Sequence, residues 1–167
     1  GLGPMATSYF IRRVTEMTDA VSDQEHIEMI IHSKPQIPDR TKFITGDSNK
    51  SPMPDLLDIG EELKERGADI IVMPCVTAHF FWKELEGKVG CKVINAIEET
   101  AEYLKKFNIK RAGIMATQGA VKSRIFQSVF LKYGIECIEP SKADEEEIMN
   151  IIYNNVKVVN GMEYNKG

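Results

Sequence analysis

The chain has 167 residues, 43% hydrophobic and 28% charged, with a formal net charge of −4; this is globular composition and excludes both extended disorder and a small disulfide scaffold. Acidic and basic residues are interspersed without a basic stripe, which argues against a nucleic-acid partner. No apolar stretch approaches the roughly 18 residues of a bilayer span and no charged segment leads into an apolar one, so a cytoplasmic location without a membrane partner is expected.

In chain order, apolar runs of strand length alternate with longer stretches of helical spacing, the pattern of βαβ units around a parallel sheet. Gly1-Leu2-Gly3-Pro4-Met5-Ala6-Thr7 reads as a glycine turn feeding a helix with Pro4 in its first turn. No strand and no initiator methionine stand before it, so a first strand is expected upstream; an open parallel sheet would otherwise leave a raw edge. Residues 28–32 read as a strand, followed by a loop, Lys34-Pro35-Gln36-Ile37-Pro38-Asp39-Arg40-Thr41, that two prolines stiffen. Residues 46–54, rich in Gly, Ser, Asn and Pro, read as a surface loop. Ser51 and Pro52 open a helix that shows Leu56, Ile59 and Leu63 on one face and stops at Gly67. A buried strand over 70–73 delivers Cys75 to the start of a helix over 78–85. Then come a strand over 92–95, a helix over 97–107, a strand over 111–116, a helix over 121–133, a strand over 135–139 and a helix over 144–156 that ends at Lys157. A further strand is expected beyond it, so the chain reads as incomplete at both ends. Ile71-Val72-Met73-Pro74-Cys75-Val76-Thr77 is echoed by Gly113-Ile114-Met115-Ala116-Thr117-Gln118-Gly119, which points to two similar halves, 1–96 and 97–167.

Ligands of open α/β sheets bind outside the carboxyl ends of the strands, and four places there carry chemistry. Cys75 precedes a helix, whose free amides and dipole favour a thiolate; the plainer reading is a small buried hydrophobe. His79, one turn on, either holds a proton or fills a gap, and gap-filling is the default. The proline-stiffened loop presents Arg40, whose guanidinium fork suits a carboxylate, unless it is a surface arginine paired with Asp39. Thr117-Gln118-Gly119-Ala120 offers amides and a hydroxyl to an anion. Lys157 in a last helical turn and Glu98 and Glu99 in a first turn fit ordinary dipole complementation. The Gly1-Leu2-Gly3 start fails as a dinucleotide fingerprint: Pro4 stiffens the turn and no acidic residue ends the next strand. Cys75, Cys91 and Cys137 are odd in number and without metal-ligand spacing, as reduced thiols are.

With these segments in order, the chain resembles, end to end, the aspartate/glutamate racemase family of cofactor-independent amino-acid racemases. The resemblance is carried by the glycine-rich start, by Pro38-Asp39-Arg40-Thr41, by Met73-Pro74-Cys75 with Thr77-Ala78-His79, by Ile97-Glu98-Glu99-Thr100-Ala101, by Ala116-Thr117 with Gly119, and by Val156-Lys157. It implies an α/β fold of two similar parallel-sheet domains related by pseudo-twofold symmetry, with the active site between them, and a homodimer. It also implies a small amino-acid substrate and no cofactor: one cysteine removes the Cα proton and a second returns a proton on the opposite face. On that reading Cys75 is one of the two bases, and Arg40 and Lys157 pair with substrate carboxylates. Thr77 and Thr117, with amides around Val76 and Gly119, hold the α-carboxylate.

The sequence also departs from the family pattern. The family's second cysteine, in a Gly-Cys-Thr-Glu motif, belongs beyond Lys157, and neither Cys91 nor Cys137 has that setting, so the chain as it stands is expected to be inactive. Val76 stands where the family usually has asparagine, and Ala120 where it has threonine. These changes point to an amino acid other than aspartate, or to a carboxylate-binding relative without turnover. A one-cysteine reaction such as decarboxylation or isomerisation is the remaining alternative.

Overall fold

The computed structural model describes residues 1–157, so the last part of the expected second half lies outside the described residues. The architecture is α/β. Helix α1 (Pro4–Met17) begins at Pro4, as expected, on the extended N-cap Gly3. After a short 3-10 turn (Asp23–Glu25) the chain runs without helix or strand, through a turn at 35–36, to α2 (Arg40–Thr45) and then to α3 (Met53–Glu65). Strand β1 (Ile70–Ile71), a 3-10 helix (Val76–Phe81), α4 (Trp82–Val89) and β2 (Lys92–Val93) complete a parallel crossover unit. A second unit follows: α5 (Ala96–Lys106), β3 (Arg111–Gly113), α6 (Gln118–Lys122), α7 (Ile125–Lys132) and β4 (Glu136–Ile138). Helix α8 (Lys142–Asn150) widens into a π-helical segment (Ile151–Val156) with Lys157 at its end.

The strands form two parallel pairs. In one, Ile70 and Ile71 face Lys92 and Val93, and the Ile94 amide extends the ladder to the Ile71 carbonyl at 2.9 Å. In the other, Arg111, Ala112 and Gly113 face Glu136, Cys137 and Ile138. Each pair has its own core. Leu56, Ile71, Met73, Phe81, Leu85 and Val93 fill the first, and Ile97, Ile114, Val121, Phe130 and Ile135 fill the second.

The termini of these helices follow from their cap residues. Gly67 at φ +94 ends α3, with its amide on the Lys64 carbonyl and the Ala68 amide on the Leu63 carbonyl; this Schellman arrangement needs a left-handed residue, which glycine supplies without strain. Asp39, Asn95, Thr117 and Ser141 cap α2, α5, α6 and α8 with their side chains, each meeting an amide that a helix start leaves free.

Several sequence expectations are corrected. Residues 28–32 form no strand; the end of this stretch meets the start of the chain, where the Gly1 amino group donates to the His32 carbonyl and the Lys34 amide meets the Gly1 carbonyl at 2.9 Å. The strand before Cys75 is buried on one face only: Ile71 and Met73 are 5% exposed, Ile70 and Val72 57% and 37%, because side chains alternate. The expected helix over 121–133 is broken at Arg124, in the left-handed region at φ 57, with no glycine or proline to announce the break. The helix over 78–85 begins earlier, as a 3-10 turn in which the Ala78 amide bonds the Cys75 carbonyl at 3.1 Å. The helix over 144–156 starts earlier too and loosens at Ile151. Among the described residues no helix is long and apolar enough to cross a membrane.

Leu85 is 2% exposed within the first core. Leu85→Ala is expected to lower stability by about 2–5 kcal/mol, the usual cost of such a cavity, read as a lower urea midpoint at unchanged m-value.

Candidate functional site

Three chain segments meet at one place: the turn after β1, the turn after β3 and the start of α2. Cys75 is the extended N-cap residue of the 3-10 helix and is partly buried against the first core. Two residues on, the Thr77 hydroxyl lies 2.9 Å from the Thr117 hydroxyl, and both residues are 8% exposed. Thr117 belongs to the echoed turn, where it stands in the register of Cys75, and its oxygen also accepts from the Ala120 amide at 3.4 Å. The two echoed turns are thus hydrogen-bonded to each other, two positions out of their sequence register.

Gly119 brings the third segment in. A Cβ there would lie 2.8 Å from the Thr41 Cα and 2.9 Å from the Thr41 hydroxyl, so only glycine lets α6 approach α2 this closely. That approach carries Arg40, the first residue of α2, to the two turns. Arg40 is held by Nη1, which donates to the Ile37 and Pro38 carbonyls at 3.0 and 3.1 Å. Its Nε is buried and has no hydrogen-bond partner among the described residues. A buried guanidinium N–H without an acceptor is costly, and a carboxylate is the acceptor that best fits that edge. Arg40 is therefore not a surface arginine paired with Asp39; Asp39 accepts from the Lys42 amide at 2.9 Å and from the Tyr153 hydroxyl at 3.4 Å.

Lys157 reaches the same neighbourhood from the opposite end of the chain. Its ammonium lies 3.9 Å over the Tyr153 ring, a cation–π contact, and Tyr153 in turn touches Asp39 beside Arg40. Tyr153 is a neighbour that the sequence reading missed, and Asp39, named there as a partner for Arg40, instead bonds Tyr153 and the Lys42 amide. The four-residue spacing of Tyr153 and Lys157 on one helix was the available signal.

His79 is 6% exposed and fully hydrogen-bonded. Nδ1 lies 3.0 Å from the Cys75 carbonyl and 3.2 Å from that of Val76, while the Ala96 amide donates to Nε2 at 3.1 Å. The accepting Nε2 places the ring proton on Nδ1 and leaves the imidazole neutral. Burial lowers its pKa from 6.5, partly offset by the backbone contacts.

The other expected residues divide clearly. Val76 is 44% exposed beside Cys75, whereas Ala120 is 1% exposed within the second core. Cys91 sits at the amino end of β2 with its thiol on the Ala68 and Asp69 carbonyls at 3.3 and 3.2 Å. Cys137 lies within β4, where burial and then Glu139 push its thiol pKa up. Neither shares the turn of Cys75. Glu98 and Glu99 occupy the first turn of α5, as expected for dipole partners. Among the described residues no group of three or more His, Cys, Asp or Glu side chains is placed to hold a metal ion. A cleft of about 490 Å³ lies away from Cys75, lined by Thr45, Asp47, Gln118, Lys122, Arg124 and Glu145 among others. Within it Arg124 pairs with Glu139 at 3.5 Å and Lys122 donates to the Thr45 carbonyl at 3.3 Å.

The chain is similar to several known proteins. The sequence model of the Asp/Glu/Hydantoin racemase family matches residues 1–163. A broad specificity amino-acid racemase of Bacillus subtilis is 27% identical over 98% of this chain and 71% of its own length. The aspartate racemase of Picrophilus torridus superposes with a TM-score of 0.77 at 31% identity, over 96% of this chain and 72% of that one. An aspartate racemase homologue from Pyrococcus horikoshii gives a TM-score of 0.72 at 19% identity, over 90% and 66%, a likeness of fold.

Two outcomes are expected. Gly119→Ala should cost about 1–3 kcal/mol, as overpacking does, measurable by urea unfolding. Because the folded pKa of His79 is depressed, the unfolded state takes its proton first; that stability is present above about pH 6.5 and declines as pH falls toward the folded pKa. His79→Gln should flatten this part of a stability–pH profile.

Proposed function

The chain belongs to the Asp/Glu/Hydantoin racemase family, and from that premise we propose that the protein is an amino-acid racemase in which Cys75 moves the Cα proton on one face of the substrate. The observation that carries the proposal is the meeting of a thiol-bearing turn, a buried hydroxyl pair and an arginine with an unpartnered Nε. A thiolate at Cys75 takes the Cα proton and becomes a thiol; an acid on the opposite face delivers a proton to the carbanion, which inverts the centre. The family resemblance makes that acid a second cysteine. Thr77, Thr117 and the amides near Val76 and Gly119 hold the α-carboxylate and take up charge as the carbanion forms. Arg40 and Lys157 receive a second polar or acidic group of the substrate. The chemistry calls for no metal or pyridoxal cofactor, and the site lies between two halves that divide near residue 96. The proposal extends to a cytoplasmic homodimer.

One observation favours a second reading. Val76 exposes an isopropyl group beside Cys75 where the family usually offers an amide, and such a site suits carboxylate binding without turnover, or a less polar amino acid.

Exchange of the Cα proton with deuterated solvent tests both. The full-length protein should exchange an acidic or polar amino acid, and Cys75→Ser should slow exchange at least roughly 100-fold, the range of a general base. Arg40→Lys should raise KM roughly tenfold, about 1.4 kcal/mol. Calorimetric binding without exchange of any amino acid would support the binding-only reading and overturn the racemase.

A further inference from the structure

Of the buried titratable groups, His79 has no task in the reaction just proposed, yet every polar atom of its ring is committed. Its Nδ1 faces the carbonyls of Cys75 and Val76, the two peptides that shape the thiol turn. Its Nε2 takes the amide of Ala96, the first residue of α5. That amide is one of the donors a helix start leaves free, and the Asn95 side chain satisfies the next two, from Ile97 and Glu98 at 3.1 and 3.3 Å. The Cys75 turn packs with the first core, whereas Ile97 and Ala101 of α5 belong to the second. The imidazole therefore spans the two cores with one rigid ring, and a helix N-terminus at Nε2 favours a lone pair there over a proton.

We infer that His79 is a positioning residue: it holds the Cys75 turn by Nδ1–H and ties it by Nε2 to α5, so that the thiol keeps a set place relative to the second half. The inference rests on the proposed role of Cys75. A residue that merely filled a gap or capped α5 would use one ring nitrogen or neither; here both are used, on opposite sides of the ring and toward different cores. The neutral ring contributes orientation and moves no proton. A thiol misplaced by about 1 Å loses on the order of 100-fold in rate with little change in binding.

Two substitutions in the full-length protein separate the halves of this role. In His79→Asn the amide nitrogen takes the place of Nδ1 and can donate to the Cys75 carbonyl, but it is too short to reach Ala96. In His79→Gln the amide oxygen reaches Ala96, while the fixed donor to Cys75 is lost. The readouts are kcat and KM for Cα exchange, and the rate of iodoacetamide alkylation at Cys75, with Cys91 and Cys137 as internal references. His79→Gln should lower kcat roughly 10- to 100-fold with KM within about threefold, and should change Cys75 alkylation at least about threefold relative to the two reference thiols. His79→Asn should keep several times more kcat than His79→Gln, even with a lower urea midpoint. Wild-type kcat and wild-type Cys75 alkylation in His79→Gln would overturn the inference, as would losses in both variants that only follow their unfolded fractions. If the wild-type protein exchanges no amino acid, the proposed function fails by itself. The alkylation comparison then still decides His79: a changed rate in His79→Gln supports the role and an unchanged one overturns it.

Discussion

A buried hydrogen bond between Thr77 and Thr117, 2.9 Å between hydroxyl oxygens, joins the two turns in which the parallel strand pairs end. Each hydroxyl brings one proton, and burial makes an unsatisfied hydroxyl expensive. The pair spends one proton on itself and retains one for a further acceptor. Because the two turns belong to different cores, this contact ties the two cores together near the point where Cys75 emerges. The close approach of α6 to α2 at Gly119 adds the third wall and brings Arg40 with it.

The electrostatics of the place are those of a cationic acceptor site with a neutral support. Arg40 keeps an unpartnered Nε, Lys157 rests on the Tyr153 ring, and His79 beneath the thiol turn stays uncharged. Asp39, the nearest carboxylate in sequence, is occupied in capping α2 and does not neutralise the arginine. On the proposed function, such a site suits a substrate that carries carboxylate. The proton-transfer group would then work against a background in which the nearby imidazole takes no part.

Much of this was legible in the residues. The alternation of apolar runs with helical spacing located β1 to β4 and most helices, because burial of one strand face or one helix stripe writes a period into the sequence. The turns bearing Cys75 and Thr117 were visible as an echo, and Pro4 and Gly67 marked their helix ends through backbone restriction. The break at Arg124 was not visible, since a left-handed arginine carries no compositional mark. Residues 28–32 misled because an apolar run reads as a strand whether or not a neighbour is present to complete its ladder.

The sequence by itself determined the element types, the α/β class, the thiol at Cys75 and the family pattern, all of which rest on local chemistry and periodicity. Only the tertiary structure decided that Thr77 meets Thr117, that Asp39 bonds Tyr153, and that His79 is shared between the Cys75 turn and α5. The Thr77–Thr117, Tyr153–Asp39 and His79–Ala96 contacts join residues far apart in the chain, and their partners are chosen by how the elements pack, which no local pattern encodes.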